Sequence, residues 1–155
     1  MLSIEPITID TITESPNYEA LAAEYAAECK IQALPLGAPL LDEYRSLEKE
    51  HRLVALGAFE GEDLVGFLIL VENYLRHHSQ KILSIDSIFL RRASRKGLAG
   101  LRLFDRAQRE AERCGASGLF LTAPIGSSLE KILDRKGFNK TTAIYFIPTK
   151  GEKHG

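Results

Sequence analysis

Between Leu90 and Leu101 stand Arg91, Arg92, Arg95 and Lys96, together with Gly97 and Gly100, and Arg102 follows closely. The residues before this loop, ILSIDSIFL, alternate as a strand does, and those after it repeat their apolar positions with helical spacing. A helix start leaves backbone N–H groups unpaired and carries partial positive charge. Glycine lets a ligand approach the backbone closely. A basic glycine loop that opens a helix is therefore suited to an anion, and above all to phosphate. It is not a P-loop, because Gly-Lys-Ser/Thr is missing, nor a dinucleotide fingerprint, because G-x-G-x-x-G is missing. Taken alone, the segment fits a polar turn that caps a helix equally well.

The candidates for proton transfer are few. Asp86 lies mid-strand among Ile85, Ile88 and Leu90, where burial would raise its pKa toward that of a useful base. Alternatively it is a structural carboxylate bonded to a neighbouring loop. His77 and His78 titrate near neutral pH, and read otherwise they are two exposed loop residues. Glu72 ends a strand, where a solvated carboxylate is the simpler reading. Tyr145 could donate a proton or pack in the sheet, while Tyr18, Tyr25 and Tyr44 suit core or pocket lining. Metal-ligand spacing of Cys and His is absent, so no metal site is expected. Cys29 and Cys114 fall on apolar helix faces, as buried free thiols of a reducing compartment would.

The elements that must hold these residues follow from pattern. SIEPITI predicts a first strand. Ser15-Pro16 opens a helix whose apolar face is Tyr18, Leu21, Ala22, Tyr25, Ala26 and Cys29. IQALPLGAP is a loop broken by Pro and Gly, and Leu40, Leu41, Tyr44 and Leu47 mark a second short helix. LVALGAF and LVGFLILVE are strands joined by the turn EGED, and YLRHHSQ is a polar loop. In ILSIDSIFL, simple alternation puts Ile82, Ser84, Asp86, Ile88 and Leu90 on one face and Ile85, Ser87 and Phe89 on the other. The following helix carries Leu103, Phe104, Ala107, Ala111 and Cys114 on one face and ends at Gly115. SGLFLTA is a strand. Ser127 and Glu130 have capping-box spacing for a last helix that stops at Gly137, and TAIYFIP closes the sheet. The order β-α-α-β-β-β-α-β-α-β describes an α/β fold around a mixed sheet.

The chain of 155 residues suits one domain, over residues 1–150, with a disordered tail at 151–155. A net charge of -1 argues against nucleic acid or an anionic membrane as partner. MLSIEPITID lacks a signal-peptide pattern, and the apolar run LVGFLILV is too short to span a bilayer. These features predict a cytoplasmic location.

The stretch from Leu53 to Ile147 resembles the GNAT superfamily of N-acetyltransferases. In that superfamily an apolar strand end is followed five positions later by R/Q-x-x-G-x-G/A, and then by a leucine-like pair in the helix. Here Leu90 is followed by Arg95-Lys96-Gly97-Leu98-Ala99-Gly100 and by Leu103-Phe104. Leu98 occupies the middle glycine position, with Gly97 beside it. SGLFLTA resembles the next strand, and LEKILDRKGF the last helix with its Gly-Phe ending. The paired histidines, IDSIFL and the short C-terminus look most like small members encoded by phages and prophages.

The resemblance implies a mostly antiparallel mixed sheet flanked by helices. It implies acetyl-CoA as co-substrate, with Arg95, Lys96, Gly97, Leu98, Ala99 and Gly100 around the pyrophosphate, and Ile88, Phe89 and Leu90 supplying the backbone edge that polarises the acetyl carbonyl. The acceptor would be a small-molecule or peptide amine, with Asp86, then His77, as base. Two departures bear on the chemistry. Leu133 stands where many members have a tyrosine acid for the thiolate, and Gly126 where an asparagine is common. Room for only one strand after Phe138 leaves the acceptor side open, or completed by a partner subunit as in a homodimer. A non-catalytic acyl-CoA-binding module and a nucleic-acid accessory protein are the other readings.

Overall fold

The runs LVALGAF and LVGFLILVE are apolar at successive positions, the pattern of strands covered on both faces. The computed structural model, which describes residues 1–29 and 37–151, makes them the sheet's interior: β2 (Leu53–Glu60) and β3 (Asp63–Leu75) lie between β1 (Leu2–Ile7) and β4 (Gln80–Leu90), with β5 (Leu119–Phe120) outside β4. β1 to β4 pair antiparallel, and β4 pairs parallel with β5. In the tight β2–β3 turn Glu60 faces Asp63, and Gly61 takes the positive φ of 62° that such a turn requires.

Helices α1 (Ile9–Thr13), α2 (Tyr18–Glu28) and α3 (Leu41–Lys49) cover one face of the sheet, and α4 (Ala99–Arg113) and α5 (Ser128–Lys136) the other. On the first face Leu21 of α2 and Ile9 and Ile12 of α1 pack with Phe67, Ile69 and Phe89. On the second, Phe104, Ala107 and Ala111 of α4 pack on Leu56, Leu68, Leu70 and Ile85. Burying each leucine, isoleucine or phenylalanine of these clusters is worth about 1.5–3 kcal/mol.

Several expectations change. The first strand ends at Ile7, because Thr8 caps α1 by accepting a hydrogen bond from the Thr11 N–H at 3.1 Å. Ile9, expected to close the strand SIEPITI, instead opens α1, in which Ile9 and Ile12 are buried. Tyr74 and Leu75 extend β3 instead of opening a loop. The strand expected over SGLFLTA is confined to Leu119–Phe120. No strand forms over TAIYFIP, whose residues are all exposed. Neither cysteine is fully buried: both are half-buried and free, at the ends of α2 and α4. Most of the loop expected over 31–39, and of the tail expected over 151–155, lies outside the described residues.

Candidate active site

The pairing of β3 with β4 shifts register midway. Ile69 faces Ser87 and Leu70 faces Ile85, so Asp86 is an extra, unopposed residue in a β-bulge. A one-residue insertion inverts the alternation beyond it. Leu83 and Ile85 pack toward α4 before the bulge, and Ile88 and Leu90 do so after it. Simple alternation puts Asp86 on the face of Leu90, and the structure corrects this. Asp86 points to the opposite face, where the Tyr44 hydroxyl of α3 donates to its Oδ2 at 2.7 Å. The expected burial is also absent, since Asp86 is exposed. Burial and the adjacent Asp86 carboxylate both raise the Tyr44 pKa well above its ordinary value, so the phenol stays protonated as the donor.

Beyond the bulge the strand has a free edge. β5 pairs with β4 only at Leu83 and Ser84, and among the described residues Ile85–Leu90 has no strand on that side. The Leu90 carbonyl points there, because it accepts from Arg95 Nε at 2.6 Å. By alternation the N–H groups of Ile88 and Leu90 face the same opening. Gly66 on β3 permits this geometry, since a Cβ there would meet the Phe89 carbonyl oxygen at 2.5 Å.

The open edge leads to the start of α4. After a short 3-10 turn at Arg92–Ser94, Gly97 adopts a φ of 58° that favours glycine. Leu98 stands at the helix cap with no side-chain hydrogen bond to the first turn. The N–H groups of Arg95, Lys96 and Ala99 are used internally, whereas those of Gly97, Leu98, Gly100 and Leu101 bond to none of the described residues. A Cβ at Gly100 would meet nothing within 4 Å, so space lies open above it. Ser94, Lys96, Ala99 and Arg102 also line a recess of about 240 Å³ against Met1, Leu2 and Glu60. The first turn of α4 thus offers unpaired donors beside open space, as an anion site requires.

The arginines of the loop are mostly committed elsewhere. Arg95 pairs with Glu28 at 2.7 Å and lies 5.4 Å from the centre of the Phe89 ring, while Arg91 pairs with Glu24 at 2.8 Å. The spacing of four that separates Arg91 from Arg95 matches that of Glu24 and Glu28 on α2, a signal the sequence holds but pattern reading overlooked. With its guanidinium tied to α2 and to Leu90, Arg95 joins the loop to the site strand. Among the described residues Lys96 makes no ion pair. Tyr25, whose pKa burial raises far above the ordinary phenol range, packs on Phe67 and Phe89 at ring distances of 5.6 and 6.0 Å.

The structure does not bring His77 to this site. His77 and His78 are exposed in the β3–β4 turn, and the strand from Gln80 to Asp86 spans about 20 Å at ~3.3 Å per residue. Glu72 pairs across from Leu83, at the turn side of the bulge. Tyr145 is 84% exposed rather than packed in the sheet. Leu133 on α5 packs against the core beneath α4, so no hydroxyl stands at that position. No group of Cys, His, Asp and Glu able to hold a metal ion occurs among the described residues, and no described helix is long and apolar enough to cross a membrane.

The sequence matches no family model and no curated protein. Solved structures do share its architecture. A ribosomal-protein-alanine N-acetyltransferase from Brucella melitensis biovar Abortus 2308 superposes with a TM-score of 0.72 at 22% identity, covering 96% of this chain and 100% of the other. The aminoglycoside acetyltransferase HMB0005, from an uncultured soil metagenomic sample, gives 0.73 at 17% identity, covering 97% and 99%. AAC(6')-Iy, solved with the bisubstrate analogue CoA-S-monomethyl-acetylneamine, gives 0.71 at 16% identity over the same shares. The mixed sheet flanked by helices is thus a fold shared with these acetyltransferases.

Proposed function

We propose that this protein is a cytoplasmic acetyl-CoA-dependent N-acetyltransferase that acts on a small-molecule or peptide amine. The observation that carries the reading is one continuous surface, in which a bulged strand with a free edge runs into a helix start bearing four unpaired N–H groups. A thiol ester of coenzyme A has the complementary chemistry. Its pyrophosphate would accept from Gly97, Leu98, Gly100 and Leu101, and its amide-bearing arm would lie along Ile88 and Leu90 as an added strand. The acetyl carbonyl would then reach the unpaired backbone near the bulge, where N–H donors stabilise the oxyanion formed on attack. Holding both reactants in line supplies much of the rate.

The amine attacks as the neutral base, and Asp86, positioned by Tyr44, takes its proton directly or through one water. Attack forms the C–N bond, and collapse breaks the C–S bond. With Leu133 in place of a tyrosine, the thiolate leaves unaided or through water. That same leucine favours the second reading, a module that binds acyl-CoA without turnover. Pairing of Arg91 and Arg95 with α2 glutamates argues against a nucleic-acid surface.

Thiol release from acetyl-CoA, measured over a panel of aminoglycosides, polyamines and peptides with free N-termini, tests the assignment. Amine-dependent release supports the transferase. Saturable acetyl-CoA binding without release from any amine would leave the binding module. Absence of binding would overturn both.

A further inference from the structure

Glu28 is the last residue of α2, where the helix dipole is negative and a carboxylate is unfavourable. The last turn of α2 holds no basic residue to offset it. Its partner stands on another element. Glu28 Oε2 accepts from Arg95 Nη2 at 2.7 Å, and one turn earlier Glu24 Oε1 accepts from Arg91 Nε and Nη2 at 3.0 and 2.8 Å. These four side chains are only 34–37% exposed, so solvent and salt screen them less than a surface pair.

The two pairs join α2 to the segment between β4 and α4. Arg91 is also fixed by its backbone, whose N–H donates to the Val65 carbonyl at 2.8 Å. Arg95 belongs to the loop itself. Its Nε donates to the Leu90 carbonyl at 2.6 Å, and its guanidinium lies 5.4 Å from the centre of the Phe89 ring. Two of its three nitrogens and one of its faces are thereby committed within the protein. Arg92 reaches the second Glu28 oxygen only at 4.0 Å and is 86% exposed, so Glu28 acts chiefly through Arg95.

We infer that Glu28 is a positioning residue for the coenzyme: through Arg95 it holds the loop in the form that presents the unpaired N–H groups of Gly97, Leu98, Gly100 and Leu101, and Arg95 serves as a strut instead of a phosphate ligand. The inference rests on the function proposed above. The two roles of Arg95 have opposite signs. A phosphate ligand would be held back by Glu28, and removing that carboxylate would tighten binding. A strut needs Glu28, so removing it loosens the loop and weakens binding.

Calorimetric titration with coenzyme A separates the two. Glu28→Ala is expected to weaken binding by roughly five-fold, a scale between an exposed ion pair and a buried charged hydrogen bond. Glu28→Gln, of the same shape without the charge, should act in the same direction, and Glu28→Asp should restore most of the affinity. In an Arg95→Ala background Glu28→Ala should cost nothing further, as two residues acting as one unit require. Melting temperature without ligand should change little, because the helix end loses an unfavourable charge together with the pair. Tighter or unchanged binding in the Glu28 variants, or additive losses in the double variant, would overturn the inference and leave the proposed function standing. A wild-type chain that does not bind coenzyme A would overturn both.

Discussion

Asp86 combines an unpaired backbone position with a carboxylate held by a neighbouring phenol, so single-atom changes there separate chemistry from folding. Asp86→Asn keeps an oxygen for the Tyr44 hydroxyl to donate to. The variant should fold and bind acetyl-CoA like the wild type while losing most turnover, roughly 10²–10⁴-fold, the usual worth of a general base. Equal turnover in wild type and variant would remove Asp86 from the mechanism. Tyr44→Phe deletes only the donor, and a several-fold fall in kcat with unchanged acetyl-CoA affinity is expected. The same phenol yields a pH prediction. The pKa values of Tyr25 and Tyr44 are raised in the folded chain, mainly by burial. A raised pKa contributes stability that is fully present below the unfolded value, about 10 for tyrosine, and is lost as pH rises through the folded value. Phenolate absorbance should therefore show two late-titrating tyrosines and stability falling above about pH 10. Tyr44→Phe should remove one late phenol and part of the alkaline loss.

Helix α4 and strand β4 define the binding edge between them. A Cβ at Gly100 meets no atom within 4 Å, so Gly100→Val should change thermal stability without ligand little. The branched side chain would instead fill the space beside the unpaired N–H groups, and the melting-temperature shift produced by acetyl-CoA should vanish. A retained shift would show that the start of α4 does not hold the pyrophosphate. Gly66→Ala acts from the opposite side of β4. Its Cβ would press on the Phe89 carbonyl, so both stability and acetyl-CoA affinity should fall together. At α5 the Ser127 hydroxyl accepts from the Glu130 N–H, and Glu130 accepts in turn from the Gly126 N–H, each at 3.1 Å. Ser127→Ala should cost about 1 kcal/mol in denaturant unfolding, the usual worth of such a cap.

Ligand binding at the level of the whole molecule is a linkage measurement. A ligand that binds only the folded state stabilises it by about 2.7 kcal/mol at a hundred times its Kd. Acetyl-CoA should thus raise the melting temperature in a concentration-dependent way, and coenzyme A should do the same, because the pyrophosphate contacts are shared. Chelators should leave turnover unchanged, since amine attack on a thioester at this site needs only backbone donors and a base. Activity abolished by chelation and restored by one divalent ion would contradict that mechanism.

The elements with strong period were legible from the amino-acid order. The apolar runs of β2 and β3, the amphipathic α4, the Ser127 cap and the left-handed Gly137 all follow from local chemistry, and so does the glycine loop after β4. Local pattern also singled out Asp86 and Tyr44, but not their contact, which joins residues 42 positions apart. Only the folded chain decided the face of Asp86, because a bulge is an irregularity in pairing and leaves no mark on one strand's alternation. It likewise assigned Arg91 and Arg95 to Glu24 and Glu28, and made a helix of Ile9–Thr13, where burial of two isoleucines outweighs β propensity. TAIYFIP has the composition of a strand, but a strand exists only with a partner edge, and none pairs with it among the described residues of this chain. Composition sets what a segment can become, and tertiary pairing sets what it does become.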